Sequence, residues 1–367
     1  MSKKKIISVV GARPNFMKVA PIDRVLAKFD EFEHVICNTG QHYDKNMSDD
    51  FFSDLDMPQP KFFLGVGSGT HAEQTAKIMV EFEKVVNEYK PDLVIVVGDV
   101  NSTIACVLTA AKCGVKTAHV EAGLRSFDKS MPEELNRMAT DAIVDYYFVT
   151  EESGMRHLVN AGVNHNRIFF VGNTMIDSLH YAMEKAKKSG IIAKYGLKQK
   201  DYALITIHRP SNVDTEESLK SILEVLNYIT KYRTVVFPVH PRTRKNIDKF
   251  NFSDFLKNDK IKFIEPQGYV NFLSLMLNSD FVLTDSGGIQ EETTALGIPC
   301  LTARTTTERP STTDIGTNIL VPPTKEGIID AVEYIMKNPR KQGKVPPLWD
   351  GKAAERIANV LKLNIFQ

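Results

Sequence analysis

Short runs of β-branched and aliphatic residues alternate along this chain with longer stretches in which apolar positions recur every three and four residues. In the first half the short runs fall at residues 6–10, 34–38, 93–97, 117–121, 147–150 and 168–171, and the longer stretches include 70–89, 103–112 and 132–144. This alternation predicts βα units wound on a parallel sheet, for which six strands suffice. The pattern restarts after a polar stretch at 185–200, with runs at 203–207, 234–239, 261–264, 281–284, 299–302 and 319–321. The expected fold class is therefore α/β, with two Rossmann-like, doubly wound domains. The first is expected to span residues 1–172 and the second 173–350, with the boundary region at 172–200. A last helical stretch, 351–363, follows a proline-rich passage that could carry the chain back across the first domain.

Composition narrows the class of partner. The chain has 367 residues, 43% hydrophobic and 25% charged, which suits two globular domains. With 46 basic and 45 acidic side chains its formal net charge is +1, so no global field holds nucleic acid or an anionic membrane, and any anion needs a local site. Cys37, Cys106, Cys113 and Cys300 fit neither a metal-ligand spacing nor a disulfide framework, and reduced core thiols are expected. The N-terminal apolar run is too short for a signal peptide, and no stretch reaches the roughly 18 residues that span a bilayer. A cytoplasmic protein without metal or cofactor is expected.

In open α/β sheets ligands sit beyond the carboxyl ends of the strands. Gly11-Ala12-Arg13-Pro14-Asn15-Phe16-Met17-Lys18 follows the first run: a glycine turn, a guanidinium and a lysine early in a helix. Two cations and a helix N-terminus make a phosphate site, although a solvated helix cap would use the same residues. Asp285-Ser286-Gly287-Gly288-Ile289-Gln290-Glu291-Glu292 follows another run. Its glycines permit close backbone approach to a phosphate, and Glu292 suits ribose hydroxyls; a tight βα connection is the plain alternative.

The carboxylates cluster. Asp99 and Glu121 each end an apolar run, and Glu133 follows Pro132 at a helix start. Three carboxylates converging on one cleft would perturb one another's ionisation, which suits proton transfer. For Glu133 and Glu134, complementarity to the helix dipole is a sufficient plain cause. His208-Arg209 and His240-Pro241-Arg242 place imidazoles at two strand ends, which favours substrate contact over a structural role. No GxxxxGK[ST] loop is present, which disfavours kinase or ATPase chemistry. Gly65, Gly67 and Gly69 do not follow a strand and read as a loop, not a dinucleotide fingerprint.

In this ordered set, from Gly11-Ala12-Arg13-Pro14 through Thr39-Gly40-Gln41-His42, Gly98 to Thr103, His119 to Arg125, Pro132 to Arg137, Val171 to Thr174, His208-Arg209, Asp285 to Glu292 and Thr307 to Pro310, the chain resembles the non-hydrolysing UDP-N-acetylglucosamine 2-epimerases. The resemblance implies a GT-B-type pair of Rossmann-like domains facing a cleft, UDP held mainly by the second domain, a homodimer, and helix 351–363 packing on the first domain. By position it implies that Asp99, Glu121, Glu133 and His208 are catalytic. Contacts to the UDP-sugar would come from Arg13, Lys18, Arg137, His240, Gln267, Tyr269, Phe272, Ser286, Gly287, Gly288, Glu292 and Arg309, with uracil against residues 267–269 and Phe272. Family members sometimes carry a second, regulatory UDP-sugar site, which places Gln41, His42 and the 65–69 loop in view. Segment 126–131 is shorter than in some members, which bears on the reach of Glu133.

Such a site would invert C2 of UDP-N-acetylglucosamine by eliminating UDP to a 2-acetamidoglucal, returning the proton to C2 from the opposite face and re-adding UDP at C1. Two faces need at least two acid/base groups. The alternatives are 2-epimerisation of a modified UDP-sugar of the diacetamido uronate type, a hydrolysing epimerase, a GT-B glycosyltransferase, and a non-catalytic UDP-sugar sensor.

Overall fold

Ile6, Ile7, Val9 and Val10 are all buried, and a strand covered on both faces reads as a continuous apolar run because helices lie on each side of its sheet. In the computed structural model, which describes residues 2–41, 52, 54–338 and 340–367, that run is β1 (Lys4–Val10). It lies near the middle of a seven-stranded sheet with β2 (Phe32–Asn38), β3 (Phe62–Phe63), β4 (Leu93–Val97), β5 (Lys116–Val120), β6 (Tyr146–Val149) and β7 (Ile168–Phe170), in the order β3-β2-β1-β4-β5-β6-β7. All pairings are parallel, Ile7 standing opposite Val35 on one side and Val94 on the other. The sheet has one strand more than the six read from the apolar runs. β3 has only two residues, too few to show a period.

The second sheet has six parallel strands, β8 (Tyr202–Thr206), β9 (Thr234–Pro238), β10 (Ile261–Ile264), β11 (Phe281–Thr284), β12 (Cys300–Ala303) and β13 (Asn318–Val321), ordered β10-β9-β8-β11-β12-β13. The strand order thus reverses between β1 and β4 in one sheet and between β8 and β11 in the other. Each reversal opens a crevice at the carboxyl edge where such sheets bind ligands. Both units are Rossmann-like and doubly wound.

The chain divides into a unit of residues 1–181 with 347–367 and a unit of residues 182–346. The division falls inside the Thr174–Lys187 helix and not at 172/173, because the start of that helix is tied to the first unit. Ser178 Oγ donates to Met17 O at 2.5 Å, and Asp177 accepts from the N–H groups of Ala353 and Ala354. Those two N–H groups open the C-terminal helix Ala353–Val360. Trp349 Nε1 donates to Thr150 O at 2.9 Å. Gly172, at φ 88, lies so close to the returning chain that a Cβ there would meet Leu348 O at 2.1 Å.

Each unit has its own core. Ile7, Ile78, Phe82, Val94, Val96 and Val107 belong to the first; Ile205, Leu223, Phe237, Leu283 and Val332 to the second. Thr70 and Glu73 form a reciprocal capping box at the start of the His71–Tyr89 helix, satisfying N–H groups the helix cannot. Among the described residues no helix is long and apolar enough to cross a membrane.

Candidate active site

In the first unit the candidate residues gather at the β1/β4 switch. Asn15 makes the turn after β1: its Oδ1 accepts from the N–H groups of Gly11 and Ala12 at 3.1 and 2.9 Å, and its Nδ2 donates to Val97 O at 3.1 Å. Arg13 opens the Arg13–Leu26 helix and is exposed. Lys18 lies one turn further on and is buried, and its ammonium is 2.6 Å from Glu121 Oε2. The lysine expected beside the diphosphate is thus the direct counter-ion of a candidate catalytic carboxylate.

Gly98 (φ 66) turns the chain from β4 to Asp99, and a Cβ on it would lie 3.0 Å from Lys18 Nζ and 3.8 Å from Glu121 Oε2. Only a residue without a side chain lets these three elements meet. β5 ends at Val120, so Glu121 lies past the strand, and its backbone is left-handed at φ 74. Asp99, partly exposed, pairs with Arg137 Nη1 at 3.3 Å.

Glu133 stands exposed in the first turn of the Pro132–Ile143 helix. Its neighbour Glu134 does more than complement the helix dipole. It is fully buried and accepts from Ser126 N, Ser126 Oγ and Phe127 N at 3.0, 3.0 and 3.1 Å. Arg137 Nε also lies 3.2 Å from it. The short 126–131 segment is therefore folded onto the helix start that carries Glu133. Glu133 and Asp99 line one hollow of about 290 Å³, with Gln41, His71, Asn101 and Asn136.

Gln41 is itself engaged: its Oε1 accepts from Ser102 N at 2.9 Å and Ser102 Oγ at 2.7 Å. His42 lies outside the described residues. The 65–69 loop is tied to helix His71–Tyr89 through Gln74 Nε2, which donates to Gly67 O at 2.9 Å. Among the described residues no group of three or more His, Cys, Asp or Glu is arranged to hold a metal ion.

The second unit repeats the plan at the β8/β11 switch. Asp285, fully buried at the end of β11, accepts from the N–H groups of His208 and Arg209 and from Asn212 Nδ2, at 3.0, 2.8 and 2.9 Å. It lies 3.3 Å from His208 Nδ1. The His208 and His240 rings stand 5.8 Å apart, centroid to centroid. His240 caps the Pro241–Lys249 helix, accepting from Arg242 N.

Ser286 is the N-cap of the Gly287–Leu296 helix, so Gly287 and Gly288 offer the first helical N–H groups. A Cβ on Gly287 would lie 2.8 Å from Arg309 Nη1. Arg309 is buried and held by Glu291, 2.9 Å from its Nε, and by Glu308. Arg304 Nη2 donates to Glu308 at 2.9 Å.

Glu292 is buried and accepts from the Tyr269 hydroxyl at 2.8 Å. Tyr269 was expected beside uracil, but it is only 3% exposed. Burial, then the adjacent Glu292 carboxylate, raise its phenol pKa well above the usual value and keep it a donor. Its hydroxyl is engaged by Glu292. Gln267 and Phe272 are half-buried; Phe272 packs on the core, and Gln267 Nε2 donates to Glu265 O at 2.7 Å.

The sequence reading missed Asn15, Glu134, Asp285, Glu291 and Glu308 as organisers of the site. Each sits in or beside a motif it did single out, but their partners are 1 to 82 positions away in the chain, and the distant ones meet only through the fold.

The UDP-N-acetylglucosamine 2-epimerase family model matches residues 24–362. The chain is 46% identical over 363 residues to the UDP-N-acetylglucosamine 2-epimerase of Methanocaldococcus jannaschii, covering 97% of this chain and 98% of that one. It is 37% identical to the UDP-2,3-diacetamido-2,3-dideoxy-D-glucuronate 2-epimerase of Pseudomonas aeruginosa, covering 97% and 99%. Its structure is similar to the crystal structure of the M. jannaschii UDP-GlcNAc 2-epimerase in complex with UDP-GlcNAc and UDP, with a TM-score of 0.90 at 44% identity, covering 98% and 99% of the two chains.

Proposed function

The chain belongs to the UDP-N-acetylglucosamine 2-epimerase family, and from that premise we propose that it interconverts UDP-N-acetylglucosamine and UDP-N-acetylmannosamine. The observation that carries this reading is the approach of Glu121 and its partner Lys18 to Gly98, the residue immediately before Asp99, with Glu133 lining the same hollow as Asp99. A glycosyltransferase needs at most one base; inversion at C2 needs acid/base groups on both faces of the ring.

The C2 hydrogen has no neighbouring carbonyl to acidify it, so the C1–O bond must break first. As UDP departs, positive charge develops at C1, and a carboxylate among Asp99, Glu121 and Glu133 takes the C2 proton, leaving a 2-acetamidoglucal. UDP stays bound through the N–H groups of the Ser286-Gly287-Gly288 turn, Arg309 and His208, with Glu292 on the ribose. Protonation of C2 from the opposite face and return of UDP to C1 give the epimer. Atoms balance without a redox partner, since no carbon changes oxidation state overall. Water must be kept from C1 and from the glycal throughout, or hydrolysis ends the cycle.

The protein acts in the cytoplasm, where its four free cysteines stay reduced. Two copies associate in this reading; Val80 on one helix and Leu135 and Met138 on another are apolar side chains exposed in the first unit. The Asp99–Glu133 hollow also meets Gln41 and the 65–69 loop, which supports a regulatory UDP-sugar position there.

The test is incubation with UDP-N-acetylglucosamine alone, followed by separation of the products. UDP-N-acetylmannosamine forming with no acceptor present is the expected result. Free N-acetylmannosamine with UDP would mark a hydrolysing enzyme, and consumption only when an acceptor is added would mark a transferase. Turnover confined to a 2,3-diacetamido uronate UDP-sugar would favour the activity named for the Pseudomonas relative.

A further inference from the structure

Glu121 holds a left-handed backbone at φ 74. For a residue with a side chain this costs on the order of 1–3 kcal/mol and persists only where the surroundings impose it. The groups that impose it flank Glu121 two positions away on either side, and one carboxylate takes both. Asp141 Oδ1 lies 2.7 Å from His119 Nδ1, and Asp141 Oδ2 accepts from Gly123 N at 2.9 Å. The far nitrogen of His119, Nε2, donates to Gly98 O at 2.8 Å. Gly98 N donates in turn to Val120 O at 3.1 Å. Gly98 immediately precedes Asp99, so a single chain of contacts runs from Asp141 to the backbone on which both Glu121 and Asp99 sit.

Neither side chain faces solvent: His119 is fully buried and Asp141 is 4% exposed. Arg125 Nη1 lies 2.6 Å from Asp141 Oδ2. Burial pushes the Asp141 carboxyl up, but His119 and Arg125 outweigh it and hold its pKa below the usual value, so it remains an anion. Buried ion pairs contribute weakly to net stability against well-packed apolar residues. Stability alone is therefore a poor account of a His-Asp-Arg set at the carboxyl edge of β5, whereas orienting two reacting carboxylates accounts for both ends of the chain of contacts.

We infer that Asp141, acting through His119 and Gly123, is a positioning residue that sets the backbone geometry of the candidate catalytic groups Asp99 and Glu121 for epimerisation. The inference rests on the epimerase reading above. Neither residue touches the sugar; each acts by holding another group in place.

The experiment compares D141N, H119N and H119Q with the wild-type enzyme. Turnover of UDP-N-acetylglucosamine is measured together with UDP affinity by calorimetry. The short asparagine amide of H119N cannot span to Gly98 O, whereas the longer glutamine amide of H119Q extends to about the Nε2 position and keeps that donor. A misplacement of about 1 Å at the reacting groups can cost on the order of 10²-fold in rate. D141N and H119N are therefore expected to lower kcat by about that factor, with KM and the UDP Kd within about threefold of wild type. H119Q is expected to recover about tenfold of what H119N loses. A purely structural role would instead lower kcat only in proportion to the fraction of protein that binds UDP. That outcome, or kcat within about twofold of wild type in both D141N and H119N, overturns the inference. Should D141N fail to fold, D141E, which keeps the charge but displaces the carboxylate from His119 and Gly123 by one methylene, is measured in its place under the same criteria. A wild-type enzyme inactive on every UDP-sugar would instead defeat the epimerase reading, which keeps the two failures apart.

Discussion

Lys18 Nζ lies 2.6 Å from Glu121 Oε2, and neither side chain is more than 6% exposed. Removing one partner of such a pair strands a buried charge and costs about 3–5 kcal/mol, whereas replacing both with apolar residues is often neutral. K18M is therefore expected to destabilise the protein by roughly that amount, and K18M/E121M to recover most of it. Both should lose at least about 10²-fold in turnover, because general acid/base groups contribute that much or more. Urea denaturation alongside turnover separates the two effects. Activity retained in the double variant would remove Glu121 from the mechanism.

Gly287 is the corresponding point in the second unit. A Cβ there would lie 2.8 Å from Arg309 Nη1 and 3.0 Å from Glu308 Oε1, so G287A must displace the guanidinium or the turn. UDP affinity is expected to fall about tenfold, which is about 1.4 kcal/mol. Titration calorimetry with UDP checks this; unchanged affinity would place the nucleotide elsewhere.

How much of this was visible beforehand follows physical lines. The strands of both sheets announce themselves as apolar runs because helices cover both faces, except β3, whose two residues are too few for any pattern. Asp99 and Glu121 were visible because they end such runs and so reach the carboxyl edge. Glu134 reads as a helix-dipole residue and Lys18 as a phosphate contact, and only the folded segment 126–131 and the approach of β5 show that both are buried against charged or polar partners. The family resemblance sets Tyr269 against uracil, and nothing local in the chain signals that its hydroxyl pairs with Glu292, 23 positions away.

That last contact gives a third prediction. Y269F removes the donor to a buried carboxylate, and hydrogen bonds to charged groups contribute about 1.5–3 kcal/mol. The expected result is UDP binding weakened by about tenfold or more, since Glu292 is no longer oriented toward ribose. The comparison with 2′-deoxy-UDP is informative: if Glu292 reads a ribose hydroxyl, the variant should discriminate less between the two nucleotides. Equal discrimination in both proteins would contradict the assignment.

Acidity should act on the C-terminal helix. Asp177 accepts from the N–H groups of Ala353 and Ala354 at 3.0 and 2.7 Å. Burial nevertheless raises its carboxyl from the usual 3.8 to about 6, against the pull of those two N–H groups. The folded state thus binds the proton more tightly than the unfolded chain. The stability this supplies is fully present below pH 3.8 and is lost as pH rises through about 6. D177N cannot titrate, so its unfolding free energy relative to wild type should rise by about 2 kcal/mol between pH 4 and pH 7. Urea midpoints across that range test it; a difference independent of pH would show that Asp177 ionises alike in both states.

Elimination and re-addition at C2 demand that the proton lost from one face be replaced from the other by a group in exchange with solvent. Incubation with UDP-N-acetylglucosamine in heavy water, followed by proton NMR of the sugar, tests this most directly. The account predicts deuterium at C2 in both epimers, with the E121Q and D99N variants exchanging at least about 10²-fold more slowly. An enzyme that binds UDP yet leaves the C2 proton untouched through prolonged incubation would contradict it.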